Sequence, residues 1–301
     1  MGNQALYIGS AIHLSSRLEQ LVIQPKAEDA PPVKRSADTI LFVELDHPQV
    51  TITQGAMQLL IKNRVAILVT DDRHLPGGLM LPFVGHTLQG RYQIAQFQNQ
   101  TKLAPALWQK VIQSKIEQQY CCLKRQGLEQ LRLKRMTKEV LKGDKSALEG
   151  QAARIYFPLM FGDDFLRDPE GETPNTKLNY AYAIIRSLMA RALVCAGLQL
   201  APGIFHKNKY NPFPLADDMM EPYRPVADEL VYEYIRDYPE AQEDLILTKA
   251  DKQVLLGIIH RPVKQGGRTR PLHQAISQTA TSLAECLLGI HSDLELIEPW
   301  N

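Results

Sequence analysis

The stretch from His206 to Pro225, HKNKYNPFPLADDMMEPYRP, gathers an imidazole and three carboxylates in a chain of 301 residues whose formal net charge is only +1. Asp218 and Glu221 are three apart, and Asp217 and Glu221 four apart, so a helix would set two carboxylates on one face. Two readings are open. Acidic residues suit the start of a helix, where the backbone dipole favours them. Paired carboxylates beside a histidine are also most of a metal site. Pro222 bears on the choice, because the residue before a proline is pushed away from helical angles.

A further carboxylate lies upstream in SALEGQAARIYF, where Glu149 sits among small and apolar residues with Arg154 and Tyr156 soon after. A glutamate on such a face is costly unless it is paired or coordinated, and an ion pair with an arginine is the plain alternative. Glu149, His206 and Glu221 together offer two carboxylate oxygens and one imidazole nitrogen from three separate elements. That donor set suits Mg²⁺ or Mn²⁺ with positions left for water and phosphate. It fits Zn²⁺ as well.

The elements that must position these groups fall into two textures. The first ninety or so residues read as β-rich: ALYIG, RLEQLVIQ, TILFVEL and VAILVT are short runs of branched residues, and TQGAMQLLIKNR between the last two has helical spacing. The segment KAEDAPPVKRSADT reads as a surface loop, and DDRHLPGGLMLP as turn chemistry followed by a strand. From about Leu103 the spacing becomes helical, most clearly in APALWQKVIQSKIEQQYCCLKR and LNYAYAIIRSLMARALVCAGL, with Gly197 as a helix stop. The expected fold is therefore α+β: a small β-rich domain over 1–90, then a larger all-α domain over 91–301, with the linker near residues 85–100.

A hydrophobic content of 45% and a charged content of 22% are those of a soluble globular protein. No apolar run approaches the roughly 18 residues of a membrane span, and the N-terminus lacks a secretory layout. Cys121, Cys122, Cys195 and Cys286 have no CxxC spacing and read as reduced cysteines of a cytoplasmic protein. Charge is unevenly spread. Lys102 to Lys145 holds eleven Lys and Arg against four Asp and Glu, a local net of +7, whereas Glu221 to Lys252 holds nine acidic against four basic residues, a net of −5. Such runs are either solvated faces or surfaces for two different partners. HRPVKQGGRTR places Arg261, Lys264, Arg268 and Arg270 around a Gly-Gly pair that reads as a flexible point.

Three motifs occur in order: LEGQAARIYF (148–157), LNYAYAIIRSLMARALVCAGLQLAPGIFHKN (178–208) and LADDMMEPYRP (215–225). They resemble the CRISPR-associated integrase-nuclease of spacer acquisition, in its type II form. VELDHPQVTITQGAMQLLIKNRVAILVTD and LWQKVIQSKIEQQ extend the resemblance over nearly the whole chain. It implies that Glu149, His206 and Glu221 are the catalytic metal ligands, for Mg²⁺ or Mn²⁺, with Asp218 in support. Many members carry aspartate where Glu221 stands. It implies transesterification, in which the 3′-hydroxyl of a short DNA fragment attacks a phosphodiester of the CRISPR repeat, or endonuclease action when water takes its place. The ligating histidine has to be neutral, so activity is expected to fall as His206 protonates. The implied partners are double-stranded DNA (spacer fragment and repeat), a second copy of the chain through the β-rich domain, and a small ferredoxin-like CRISPR-associated subunit bridging two dimers. Arg154, Lys207, Lys209, Arg224, Arg268 and Arg270 are the candidate DNA contacts. Two other readings are a DNA-binding scaffold that has lost its chemistry and a metal-dependent DNA repair nuclease.

Overall fold

Short runs of branched residues make the strands of the first unit. The computed structural model describes residues 2–27, 30–168, 171–242 and 247–299, in two units, Met1–His86 and Thr87–Asn301. In the first, β1 (Gln4–Ile8), β2 (Ile12–Arg17), β3 (Gln20–Pro25), β4 (Val33–Ser36), β5 (Ile40–Leu45) and β6 (Thr51–Ile52) precede helix α1 (Gln54–Lys62), β7 (Ala66–Thr70) and β8 (Pro76–Met80). One sheet has the order β1-β5-β7-β8, parallel except for β8 at its edge; the other has the order β4-β3-β2-β6. β5 is buried along nearly its whole length, as a central parallel strand is. Leu14, Leu21, Val43, Leu60 and Ile67 fill the core of this unit. The run RLEQLVIQ is not one strand. The chain reverses at Leu18 and Glu19, both at positive φ (52° and 57°), the two-residue hairpin geometry that Asn-Gly ordinarily announces.

The second unit comprises α2 (Gln89–Arg125), α3 (Leu131–Glu139), α4 (Leu148–Phe161), α5 (Asn175–Cys195), α6 (Pro214–Met220), α7 (Arg224–Asp237), α8 (Lys249–Leu256), the ribbon of β9 (Pro262–Gln265) and β10 (Arg268–Pro271), and α9 (Leu272–Leu287). The architecture is α+β. α5 is buried on almost every side, as a central helix must be. It ends in a Schellman turn: Gly197 takes φ 84°, its N–H donates to the Val194 carbonyl, and the Leu198 N–H reaches Leu193.

Four expectations are corrected here. Residues 85–100 are mostly helix, because α2 begins at Gln89 and runs through Pro105. Its first turns bury Gln96 and Gln100, which donate to the carbonyls of Gln199, Pro202 and Gly203, so this buried face is amide rather than hydrocarbon and apolar periodicity does not register it. The β9–β10 ribbon means that the unit is not all-α. Its Gly266 and Gly267, at φ 59° and 71°, close a tight hairpin where the sequence suggested a flexible point. Only part of the acidic run is a solvated face: Asp237 and Glu240 are exposed, whereas Asp228, Glu229 and Asp251 are buried, and residues 243–246 lie outside the described residues.

Lys177 of α5 and Asp251 of α8 are both fully buried, with Nζ 3.4 Å from Oδ1. Asp251 also closes a capping box with Thr248. Removing one partner of such a pair leaves a buried charge uncompensated. Asp251→Ala is therefore expected to destabilise the protein by about 3–5 kcal/mol, read from urea unfolding of the full chain. A loss below about 1 kcal/mol would show that the pair does not hold α8 to α5.

Candidate metal centre

Each proposed ligand is fixed by its own device. Glu149 stands in the first turn of α4, and buried Asp144 caps that helix by accepting from the Leu148 and Glu149 amides at 2.9 and 3.0 Å. The loop before α6 wraps round the Asp218 carboxylate, which is wholly buried: Oδ2 accepts from the amides of Ile204 (2.5 Å) and Phe205 (2.8 Å), and Oδ1 from the amide of His206 (3.2 Å). Gly203 is required here, since a Cβ would lie 2.4 Å from the His206 carbonyl oxygen and 3.0 Å from Asp218 Oδ2. The imidazole Nδ1 donates to Asp218 Oδ1 at 2.5 Å, which leaves Nε2 with its lone pair. That hydrogen bond, against the opposing effect of burial, raises the His206 pKa above its ordinary value.

Glu221 follows α6 directly and takes helical angles (φ −51°, ψ −43°) despite preceding Pro222. A 3₁₀ turn over Glu221–Tyr223 carries the chain on into α7, so the break expected at the proline does not occur. Asp217 faces elsewhere and pairs with Arg186 at 2.6 and 2.8 Å. Glu221 is buried; Oε1 lies 3.0 Å from Arg224 Nε and Oε2 2.6 Å from Lys115 Nζ. Lys115 Nζ is also 2.6 Å from Glu149 Oε1. The Glu149 carboxylate thus pairs with a lysine of α2, not with an arginine.

Lys115 is the residue that the reading by motif missed. Burial alone would lower its pKa, but the Glu221 and Glu149 carboxylates outweigh burial and hold the ammonium charged. The reverse holds at Glu221, where burial pushes the carboxyl up and Arg224 and Lys115 together bring it below its ordinary value. A signal was present: Trp108, Val111, Ile112, Lys115 and Ile116 share one stripe of α2, and all are buried.

Glu149 and Glu221 therefore converge on one cation position, and their charges also reach His206. Among the described residues no three His, Cys, Asp or Glu side chains stand at the spacing that holds a metal ion; the Lys115 ammonium lies between the two carboxylates instead. The donor set nonetheless fits a hard or borderline divalent ion. Glu221 Oε2 is a buried acceptor whose close neighbour is the Lys115 ammonium at 2.6 Å.

The candidate DNA contacts divide by surroundings. Arg154, Lys207 and Lys209 are exposed, and Lys209 lies over the Tyr210 ring. Arg224 is held between Glu221 and the Tyr182 ring, whose centroid is 4.8 Å from its guanidinium carbon. Arg268 is exposed and Arg270 half-buried on the β9–β10 ribbon. Arg261 at the start of that ribbon is tied to Glu229 and Glu233.

Residues 6–257 match the family described as CRISPR associated protein Cas1. The chain belongs to the Cas1 family. It is 33% identical over 260 residues to the CRISPR-associated endonuclease Cas1 of Neisseria meningitidis serogroup C (strain 8013), covering 85% of this chain and 83% of that protein. Its fold is similar to that of a casposase bound to an integration product (TM-score 0.79, 20% identity, 97% of this chain and 92% of that one). It is also similar to part of a Cas6-RT-Cas1–Cas2 complex (TM-score 0.75, 21% identity, 99% of this chain and 36% of that one). No helix among the described residues is long and apolar enough to cross a membrane.

The Tyr182 hydroxyl beside Arg224 donates to buried Asp228, whose carboxyl burial pushes up from 3.8 to about 6. A carboxyl with a raised folded-state pKa binds its proton more tightly when folded, so its contribution to stability is greatest in acid and is lost as pH rises from about 4 to above 6. Between pH 4.5 and 8 the wild type is expected to lose on the order of 2–3 kcal/mol that Asp228→Asn retains, measured by urea unfolding at both pH values. Parallel curves for the two proteins would mean that Asp228 is ionised at little cost.

Proposed function

We propose that this Cas1-family chain is a metal-dependent DNA integrase and endonuclease that inserts short foreign DNA fragments into a CRISPR array. The fragment's 3′-hydroxyl attacks a repeat phosphodiester, the P–O bond to the repeat's own 3′ oxygen breaks, and a second attack on the opposite strand completes insertion. With water in place of the hydroxyl, the same centre cuts DNA. The observation that carries the reading is the convergence of Glu149 and Glu221 on one buried cation position beside a histidine oriented by Asp218, in a chain of this family.

Phosphoryl transfer asks a protein mainly to position its reactants and neutralise charge. Glu149, His206 and Glu221 would hold Mg²⁺ or Mn²⁺, which supplies charge neutralisation at the phosphate and activates the attacking oxygen. Asp218 orients the imidazole and keeps its proton on Nδ1. Lys115 balances the two carboxylates, and Arg224 keeps Glu221 ionised. Exposed Arg154, Lys207, Lys209 and Arg268, with Arg270, are proposed to hold the DNA backbone without reading bases. The proposed partners are double-stranded DNA, a second copy of the chain through the β-rich unit, and a small ferredoxin-like subunit of the Cas2 kind, in a type II system.

Strand transfer of a labelled fragment into a repeat-bearing plasmid, with the small subunit and Mn²⁺ or Mg²⁺, tests the reading. Wild type is expected to join the fragment only with metal, Asp218→Ala to join it about 10–100-fold more slowly, and His206→Ala to fall below that. Metal-independent joining, or equal joining by wild type and His206→Ala, would overturn it. Nicking without joining would leave an endonuclease alone.

A further inference from the structure

The Lys115 ammonium occupies the point on which Glu149 and Glu221 converge. Its Nζ is 2.6 Å from Glu149 Oε1 and 2.6 Å from Glu221 Oε2, on a side chain only 11% exposed. An ammonium and a divalent ion cannot both sit between the same two oxygens. Charge gives the same answer. Glu149 and Glu221 are already matched by Lys115 and by Arg224, whose Nε is 3.0 Å from the other Glu221 oxygen. A divalent ion added to that set would leave an excess of positive charge beside a buried carboxylate, a cost that moving the ammonium away relieves.

The ammonium has somewhere to go. Lys115 also lines a cavity of about 360 Å³ walled by α2, α4, α5 and α7, in which the Asp228 carboxyl stands among Phe157, Phe165 and Leu166. A lysine suits such a move, because its charge is a point at the end of a flexible four-carbon stem. Arg224 does not, since its planar guanidinium is held between Glu221 and the Tyr182 ring. The cavity wall also carries Arg154, Arg167 and Arg224. The ammonium is therefore held less well there than between Glu149 and Glu221, and it returns when the ion leaves.

We infer that Lys115 is a resident counter-ion of the metal centre: its ammonium holds the Glu149 and Glu221 carboxylates together in the metal-free protein, then yields that place to a divalent ion and swings into the adjoining cavity toward Asp228. The inference rests on the metal-dependent function proposed above and adds to it a device within the same site. Lys115 keeps two like charges from forcing the empty centre apart. It also sets the ion concentration at which the centre fills, because loading breaks the two ion pairs that Lys115 makes.

The test uses the full-length protein and needs no DNA. Mn²⁺ affinity is compared for wild type and Lys115→Met by electron paramagnetic resonance, with folding checked by circular dichroism. Mn²⁺-loaded wild type is crystallised as well, and the ion is placed by its anomalous scattering. Lys115→Met has no ammonium to expel and is expected to bind Mn²⁺ at least about tenfold more tightly than wild type. A lysine that merely supports the fold would leave that affinity unchanged or weaken it on removal. In the loaded crystal, Lys115 Nζ should lie beyond about 4 Å from both carboxylates, in the cavity with Asp228. Affinity unchanged or weakened in Lys115→Met, or an ion on Glu149 and Glu221 with Nζ still paired to either, overturns the inference and leaves the metal-dependent function standing. Should Lys115→Met not fold, the loaded crystal decides alone. Wild type that exchanges its ammonium for Mn²⁺ yet never joins DNA keeps the inference and loses the proposed function; wild type that binds no ion loses both.

Discussion

Two carboxylates that share one ammonium in a buried setting constrain the whole helical unit. Glu149 reaches the point from α4, Glu221 from the turn between α6 and α7, and Lys115 from α2. None of the three is stable there alone, because an isolated charge out of water costs several kcal/mol. Three elements far apart in sequence must therefore arrive together. The long α2, the Asp144 cap on α4 and the helical Glu-Pro step serve that one meeting point. The two carboxylates are met by two cations, Lys115 between them and Arg224 on the far oxygen of Glu221.

The second constraint is the Asp218 cradle. Three backbone amides and an imidazole converge on one buried carboxylate, so the loop that carries His206 is fixed by the helix that leads to Glu221. The chain LADDMMEP thus does two jobs three residues apart. Asp218 faces back to the histidine loop, and Glu221 faces across to α2. Asp217, next to Asp218, pairs with Arg186 instead. The same loop gives Phe205 its place on Trp108, their rings stacked with centroids 4.4 Å apart.

Much of this was legible in the sequence, and the rest was hidden for identifiable reasons. The α+β order of elements followed from the change between short branched runs and helical spacing. Glu149, His206, Asp218 and Glu221 stood out by residue type and by their resemblance to a family. Lys115 did not, because it was counted within a basic run although it interrupts an apolar stripe. The start of α2 was hidden because Gln96 and Gln100 bury amides where apolar residues are expected. The Leu18–Glu19 turn had no Gly or Asn to announce it, and Pro222 pointed away from a helix that tertiary packing imposes. Local rules failed at these places because a long-range partner outweighed local preference.

The central claim is that Glu149 and Glu221, with His206, form one divalent-cation site. Binding of Mn²⁺ to the full-length protein, followed by electron paramagnetic resonance with wild type and Glu149→Gln side by side, tests it most directly and needs no DNA. Because Glu149→Gln keeps the shape of the side chain and removes its charge, the fold should persist and can be checked by circular dichroism. The account expects wild type to immobilise a single tightly held ion and Glu149→Gln to leave that ion free in solution. Equal binding by the two folded proteins would contradict it.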